Sequence, residues 1–205
     1  SEIIINELAS DVNEIKMRGG KVPRLAAVLV GNNPASESYV RSKIKACEKS
    51  GIQSTLRSLP ASVTESELLN EIELLNRDQT IYGFIVQLPL PHQIREQKII
   101  EAIDPKKDID GFHPVNVGKM SLNIPGFLPA TPYGILLLME RYKIPTEGKH
   151  CVVLGRSNIV GTPMSLLMSR KSYPGNCTVT LCHSGTNPIE SFTLKADILI
   201  VALGK

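Results

Sequence analysis

One lysine, one glutamine, a pair of aspartates and a glycine-bounded turn have the types and spacings that chemistry uses in this 205-residue chain. The lysine comes first. Ser36 to Lys49 reads as one helix with Ser36 placed to cap it, and at about 100° per residue Ser36, Tyr39, Val40, Lys43, Ile44 and Cys47 share one arc of roughly 140°. Glu37, Ser38, Arg41, Ser42, Lys45, Glu48 and Lys49 fill the opposite arc, so Lys43 is the one charge on the apolar face. Burying an ammonium costs several kcal/mol unless something compensates. Lys43 is therefore either a stem that snorkels to water or a lysine presented into a cleft to do chemistry.

Gln87 closes an apolar strand at its carboxyl end, where α/β sheets place their ligands, or else it caps a loop. Asp108-Ile109-Asp110-Gly111 sets two acids before a glycine. That pattern forms a turn or a metal site, although an EF-hand needs further ligands and a glutamate that are absent. An acid in a cleft also accepts two hydrogen bonds from an amidine-like ring edge, as in a pterin. No histidine spacing suits a metal, and none is expected.

The turn is Gly155-Arg156-Ser157-Asn158-Ile159-Val160-Gly161-Thr162-Pro163, between a strand and a helix. Small residues there let the backbone approach a pyrophosphate at the helix N-terminus. Ser157 stands where the second glycine of GxGxxG would be, and Gly161 comes one residue late, so an ordinary strand-to-helix turn stays open. At the end of the next strand, an NAD enzyme carries Asp or Glu for the adenine ribose. This chain has Cys182-His183-Ser184. With Arg156 nearby, the missing acid leans toward a ribose bearing a 2′-phosphate, hence NADP over NAD; loop polarity alone is the other reading of His183 and Ser184.

Alternating strands and helices must position these groups. Leu25–Val30 is a continuous apolar run, a strand covered on both faces, and Gly31-Asn32-Asn33-Pro34 leads from it to the Lys43 helix. A strand follows at 54–59, then a helix opened by the capping box Thr64-Glu65-Ser66-Glu67, then a strand from Gly83 to Leu88. Residues 104–131 read as a long loop. Thr131-Pro132 opens a helix in cap-then-proline order. A second train follows: a strand at 150–154, a helix at about 160–170, a strand at 178–182, a short helix and a strand at 198–202. The expected fold class is α/β with two domains: residues 1–128, layered on a parallel sheet, and 129–205, Rossmann-like and cut off after its third strand.

The bulk composition sets outer limits. Net charge is +3 with scattered basic residues, which gives no nucleic-acid footprint. No apolar run reaches the ~18 residues of a membrane span, and the start is unlike a signal peptide. Cys47, Cys151, Cys177 and Cys182 form no CxxC pair, and Cys47 and Cys151 fall in apolar segments. Buried free thiols in a reducing, cytoplasmic compartment are expected.

Five segments in order resemble the bifunctional methylenetetrahydrofolate dehydrogenase / methenyltetrahydrofolate cyclohydrolase family. They are Tyr39-Val40-Arg41-Ser42-Lys43, Val86-Gln87-Leu88-Pro89-Leu90-Pro91, Lys107-Asp108-Ile109-Asp110-Gly111, Pro129-Ala130-Thr131-Pro132 and Gly155-Arg156-Ser157-x-Ile159-Val160-Gly161-x-Pro163. The resemblance implies NADP-dependent oxidation of 5,10-methylenetetrahydrofolate and hydrolysis of the methenyl product to 10-formyltetrahydrofolate, in one-carbon metabolism. It implies Lys43 as catalytic, helped by Gln87 and Tyr39, with Tyr39, Ser36 and Asp110 along the folate. Gly155, Arg156, Ser157, Gly161, Ser184 and Thr131 are implied at the dinucleotide. A homodimer through the nucleotide domain is implied too, with the strand at 178–182 as its candidate contact. The family pattern continues past Lys205 with further nucleotide strands; a chain ending there is expected to expose a strand edge and to be unstable or inactive. Two other readings are a different NADP-dependent dehydrogenase and a non-catalytic folate- or nucleotide-binding module.

Overall fold

Two parallel three-stranded sheets organise the chain. The structure, a computed structural model, describes residues 2–203, which divide into a unit ending at Ile109 and a unit starting at Asp110. The first unit runs α1 (Glu2–Met17), β1 (Arg24–Val30), α2 (Pro34–Ser50), β2 (Gln53–Leu59), α3 (Glu65–Arg77), β3 (Gly83–Val86) and α4 (Glu96–Ala102). The second runs α5 (Pro114–Ser121), α6 (Ala130–Arg141), β4 (His150–Leu154), α7 (Gly161–Ser169), β5 (Thr178–Cys182), α8 (Glu190–Thr193) and β6 (Ile198–Val201). The sheet orders are β2-β1-β3 and β5-β4-β6, so in each the strand made first lies in the middle.

Strand alternation sorts the core of the first unit. Ala26, Val28, Val30, Phe84 and Val86 face Leu68, Ile72 and Leu75 of α3 and Ile99 of α4. Ala27, Leu29 and Ile85 face the other way, onto Val40 and Ile44 of α2. In the second unit Cys151, Val153 and Ile200 pack with Met139 of α6 and with Met164 and Met168 of α7.

Local signals set most element ends. The capping box at α3 forms as expected: Thr64 Oγ1 accepts from Glu67 N at 3.2 Å, and the Glu67 carboxylate accepts from Thr64 N at 2.8 Å. Thr64→Ala is expected to cost about 1 kcal/mol, read as a lower urea midpoint at unchanged slope. The next residue, Glu65, receives Arg95 Nε at 2.9 Å and Lys98 Nζ at 3.0 Å. The hydrogen bonds from Arg95 and then Lys98 hold its carboxyl well below the usual range. A depressed folded-state pKa gives stability that is full above the unfolded value and is lost as pH falls through the folded one. Glu65→Gln is therefore expected to be less stable than the parent at neutral pH, with a gap that closes progressively below about pH 4. A constant gap down to pH 2 would mean that the pair contributes nothing.

Several elements depart from the sequence expectations. Asn33, not Ser36, caps α2: its Oδ1 accepts from Ala35 N at 3.0 Å and Ser36 N at 3.2 Å, and Pro34 needs no acceptor. Ser36 is buried in the first turn instead. The strand from Gly83 ends at Val86 rather than Leu88. Residues 104–131 are not all loop, because α5 lies among them, capped by the His113 ring accepting from Val115 N at 3.1 Å. Helix α6 begins at Ala130, one residue before Thr131, so Thr131 is not its cap. Helices α1 and α4 had no expectation at all. All four cysteines are free, but Cys47 is only half-buried. Burial, and then Cys177, pushes the Cys151 thiol up to about 12, which leaves it inert as a nucleophile.

Candidate functional site

The sheet decides which side of α2 is left for a ligand. Val40 and Ile44 pack toward β1 and β3, and Ser36, one turn before Val40, is buried as well. The neighbouring row is uncovered. Ser38, Tyr39, Ser42, Lys43 and Ala46 line an open hollow of about 510 Å³. Lys43 is thus at the border between core and hollow, half-buried, not mid-face. Tyr39 is 63% exposed, so its ring belongs to the hollow and not to the core. Lys43 Nζ lies 5.8 Å from the Tyr39 ring centroid, within cation–π range. Small residues at 38, 42 and 46, one turn apart, were the signal for this hollow, and the helical wheel set two of them on the solvated arc.

Gln87 continues β3 by one ladder bond, Gln87 N to Val28 O at 2.9 Å. It is two residues past Ile85, so the alternation puts it on the α2 side of the sheet. Its Nε2 donates to Leu88 O at 2.8 Å. That bond fixes the amide, because only the nitrogen end can satisfy a carbonyl. Its Oε1 is then buried with no hydrogen-bond partner among the described residues. A buried acceptor left open in this way costs about 1–3 kcal/mol, and it is the kind of atom that a ligand's donor, a water or an ammonium satisfies.

The two aspartates have different surroundings. Asp108 is buried and bridges Phe84 of β3, in a stretch joined to that strand by Phe84 N to Lys107 O at 2.9 Å. Asp110, half-buried, opens the second unit. Gly111 follows with φ +70°, and a side chain there would strike the backbone of Leu128 and Pro129. Asp110 is therefore flanked by backbone that cannot shift freely.

In the second unit the expected turn is built at the carboxyl ends of three strands. Gly155 N donates to Cys182 O at 2.8 Å, and Ala202 N to Leu154 O at 2.7 Å. Gly155 adopts φ +106°, where a Cβ would collide with the Ala202 carbonyl; a Cβ on Gly161 would collide with the Gly155 carbonyl. These two glycines do what spaced glycines do in a phosphate turn, one allowing the bend and the other letting the helix close on the strand. Ser157 Oγ accepts from Val160 N at 3.1 Å and Gly161 N at 3.4 Å, holding the turn ahead of α7. The ends of β4 and β5, adjacent in the sheet, bring Arg156 and Ser157 beside His183 and Ser184; Arg156, Ser157 and Ser184 are exposed there. Thr131 is exposed in the first turn of α6 and makes no hydrogen bond to the turn. With Gly155 and Gly161 bare of side chains, the cradle fits a dinucleotide pyrophosphate.

Among the described residues no helix is long and apolar enough to cross a membrane. The comparisons with known proteins bear on both units. Residues 1–110 match the model of the tetrahydrofolate dehydrogenase/cyclohydrolase catalytic domain. Residues 129–205 match that of the NAD(P)-binding domain of the same proteins. The chain is 61% identical over 204 residues to the bifunctional protein FolD of Flavobacterium johnsoniae, spanning all of this chain and 69% of that protein. To FolD of Porphyromonas gingivalis it is 58% identical over 202 residues, covering 98% of this chain and 68% of the relative. The fold matches the crystal structure of the FolD enzyme of Campylobacter jejuni with TM-score 0.93 and 45% identity, over 99% of this chain and 71% of that one. It matches the Trypanosoma brucei enzyme, complexed with NADP cofactor and an inhibitor, with TM-score 0.93 and 32% identity, over 100% and 69%. The chain belongs to the tetrahydrofolate dehydrogenase/cyclohydrolase family.

Proposed function

We infer that the protein oxidises 5,10-methylenetetrahydrofolate to 5,10-methenyltetrahydrofolate with NADP, and hydrolyses that product to 10-formyltetrahydrofolate. The observation that carries the hydrolytic half is the hollow holding Lys43 and Tyr39, on the same side of the sheet as the open Oε1 of Gln87. When bound, NADP accepts the hydride that the methylene carbon loses. The chain's own residues do the rest. Water adds to the methenyl carbon, and the adduct releases one proton to leave a neutral hydroxyl. That hydroxyl proton is then taken up and N5 is protonated as the bond from the carbon to N5 breaks, leaving the formyl group on N10 and a hydrogen on N5. Lys43 serves the proton movements of this step, and Gln87 Oε1 accepts from the Lys43 ammonium or from the attacking water, keeping either in line. Tyr39 covers the ring system of the folate, with Ser36 in the turn below it. Asp110 accepts two hydrogen bonds from the pterin edge.

The dinucleotide is assigned to Gly155, Arg156, Ser157, Gly161 and Ser184, with Thr131 beside them. The absence of an acid after β5 supports NADP over NAD. By function, residues 1–128 form the folate domain and 129–205 the nucleotide domain; residues 110–128 pack with the second unit but carry Asp110. We assign the protein to the cytoplasm as a homodimer through the nucleotide domain, which β5 fits as an edge strand; sedimentation tests the dimer. No role with nucleic acid or a membrane is proposed.

The deciding experiment follows methenyl product in the purified protein with methylenetetrahydrofolate and either NADP or NAD. Turnover with NADP ahead of NAD is the expected result. Failure of the protein to bind any tetrahydrofolate would overturn the reading.

A further inference from the structure

Lys107 belongs to the Lys107-Asp108-Ile109-Asp110-Gly111 segment, yet no role in the reaction has used it. Its ammonium has three protons, and the structure spends all of them. Nζ donates to Leu75 O at 2.8 Å, Asn76 O at 2.7 Å and Asp78 O at 2.8 Å. These are carbonyls at the C-terminal end of α3, two from its last turn and one from the residue capping it. A helix leaves its final carbonyls unpaired and negative, and a lysine is the side chain that answers both needs at once.

The same residue ties down its own backbone. Lys107 N donates to Asp104 O at 2.7 Å and Lys107 O accepts from Phe84 N at 2.9 Å, so the stretch lies along β3 as a strap. Asn76, in the last turn of α3, holds the start of the strap: its Oδ1 accepts from Asp104 N at 2.9 Å and its Nδ2 donates to Ala102 O at 2.8 Å. A side chain on Gly83 would strike Ile109, which shows how closely the strap runs against the strand. One peptide bond beyond Ile109 comes Asp110.

We propose that Lys107 is a positioning residue for folate binding: by closing the end of α3 it sets the strap, and the strap sets the place of the Asp110 carboxylate. This rests on the assignment of Asp110 to the pterin edge. The side chain of Lys107 touches no substrate. A purely structural cap would lower stability and leave substrate affinity alone, whereas a positioning residue splits the kinetic constants. A carboxylate that binds the substrate without entering the reaction shows itself in KM before kcat, and a displacement of about 1 Å is enough to matter.

The test compares Lys107→Met, which keeps the apolar stem but has no donors, with Thr64→Ala, which uncaps the opposite end of the same helix. Both are expected to melt earlier. Only Lys107→Met is expected to raise KM for methylenetetrahydrofolate, by about tenfold or more, with KM for NADP and kcat within about twofold. If Lys107→Met melts earlier but keeps its folate KM, or if both variants raise it alike, the proposal is overturned and Lys107 is a cap only. Asp110→Asn separates the proposal from the reading beneath it. A raised folate KM in Asp110→Asn with none in Lys107→Met sinks the proposal alone, and an unchanged KM in both sinks the pterin assignment with it.

Discussion

Lys43→Ala is expected to remove the hydrolysis of 5,10-methenyltetrahydrofolate while the protein stays folded. The two halves of that expectation come from the same place. Lys43 stands at the border of the α2 hollow, half-buried, and the packing of the helix on the sheet is supplied by Val40 and Ile44. Its truncation opens no cavity in the core, so melting should stay within about ±0.5 kcal/mol of the parent, as for most surface positions. Chemistry should suffer far more. A positioned acid–base group contributes about 10²–10⁴-fold. Retention of more than about a tenth of the rate, a loss under ~1.4 kcal/mol, would remove Lys43 from the mechanism. Methenyl hydrolysis followed by absorbance, with circular dichroism on the same sample, reads both.

Gly161→Ala should be as severe for the nucleotide and for a different reason. A methyl group at 161 would occupy the space of the Gly155 carbonyl, and Gly155 is itself pressed against Ala202. The clash is of a Cβ with a backbone carbonyl, so no rotamer relieves it. Overpacking of this kind costs about 1–3 kcal/mol and occasionally more. The turn has to open to accommodate it, and an open turn no longer presents its amides to a pyrophosphate. NADP affinity is expected to fall by at least about 100-fold, the order expected of a misplacement near 1 Å, with hydrolysis of methenyltetrahydrofolate less affected. Gly134→Ala is the control, because a methyl there meets nothing within 4 Å and a helix interior gains about 0.5–1 kcal/mol from the exchange. Titration of both variants with NADP decides it; binding within twofold of the parent in Gly161→Ala would show that the turn is not the dinucleotide site.

The parts of this fold that were legible in the sequence are those written locally. Leu25–Val30 and His150–Leu154 are apolar runs bounded by turn residues, and Thr64 with Glu67 is a cap that closes on itself within four residues. Helix α5 was hidden because a histidine caps it and Gly118 interrupts it; α4 has no side-chain cap at all. Helix α1 buries only Val12, so its pattern carries little weight. At the site, Lys43 stood out as an oddity of charge, but a wheel has no floor. Which row of α2 meets the sheet depends on Ala27, Leu29 and Ile85, residues from two other elements. The free oxygen of Gln87 depends on where the Leu88 carbonyl points, and the three acceptors of Lys107 depend on where a helix 30 residues earlier stops. No spacing rule contains that information.

The central position of β1 and of β4 bears on the order in which the molecule is made. On a ribosome the middle strand of each sheet emerges first, with both of its edges unpaired. The next strand covers one edge and the third covers the other, so these three strands of each sheet pair within one stretch, 24–86 and 150–201. Domains tend to fold as units from the N-terminus during synthesis. The three paired strands around which Lys43 and Gln87 are placed can thus be made before the first strand of the dinucleotide half has been translated.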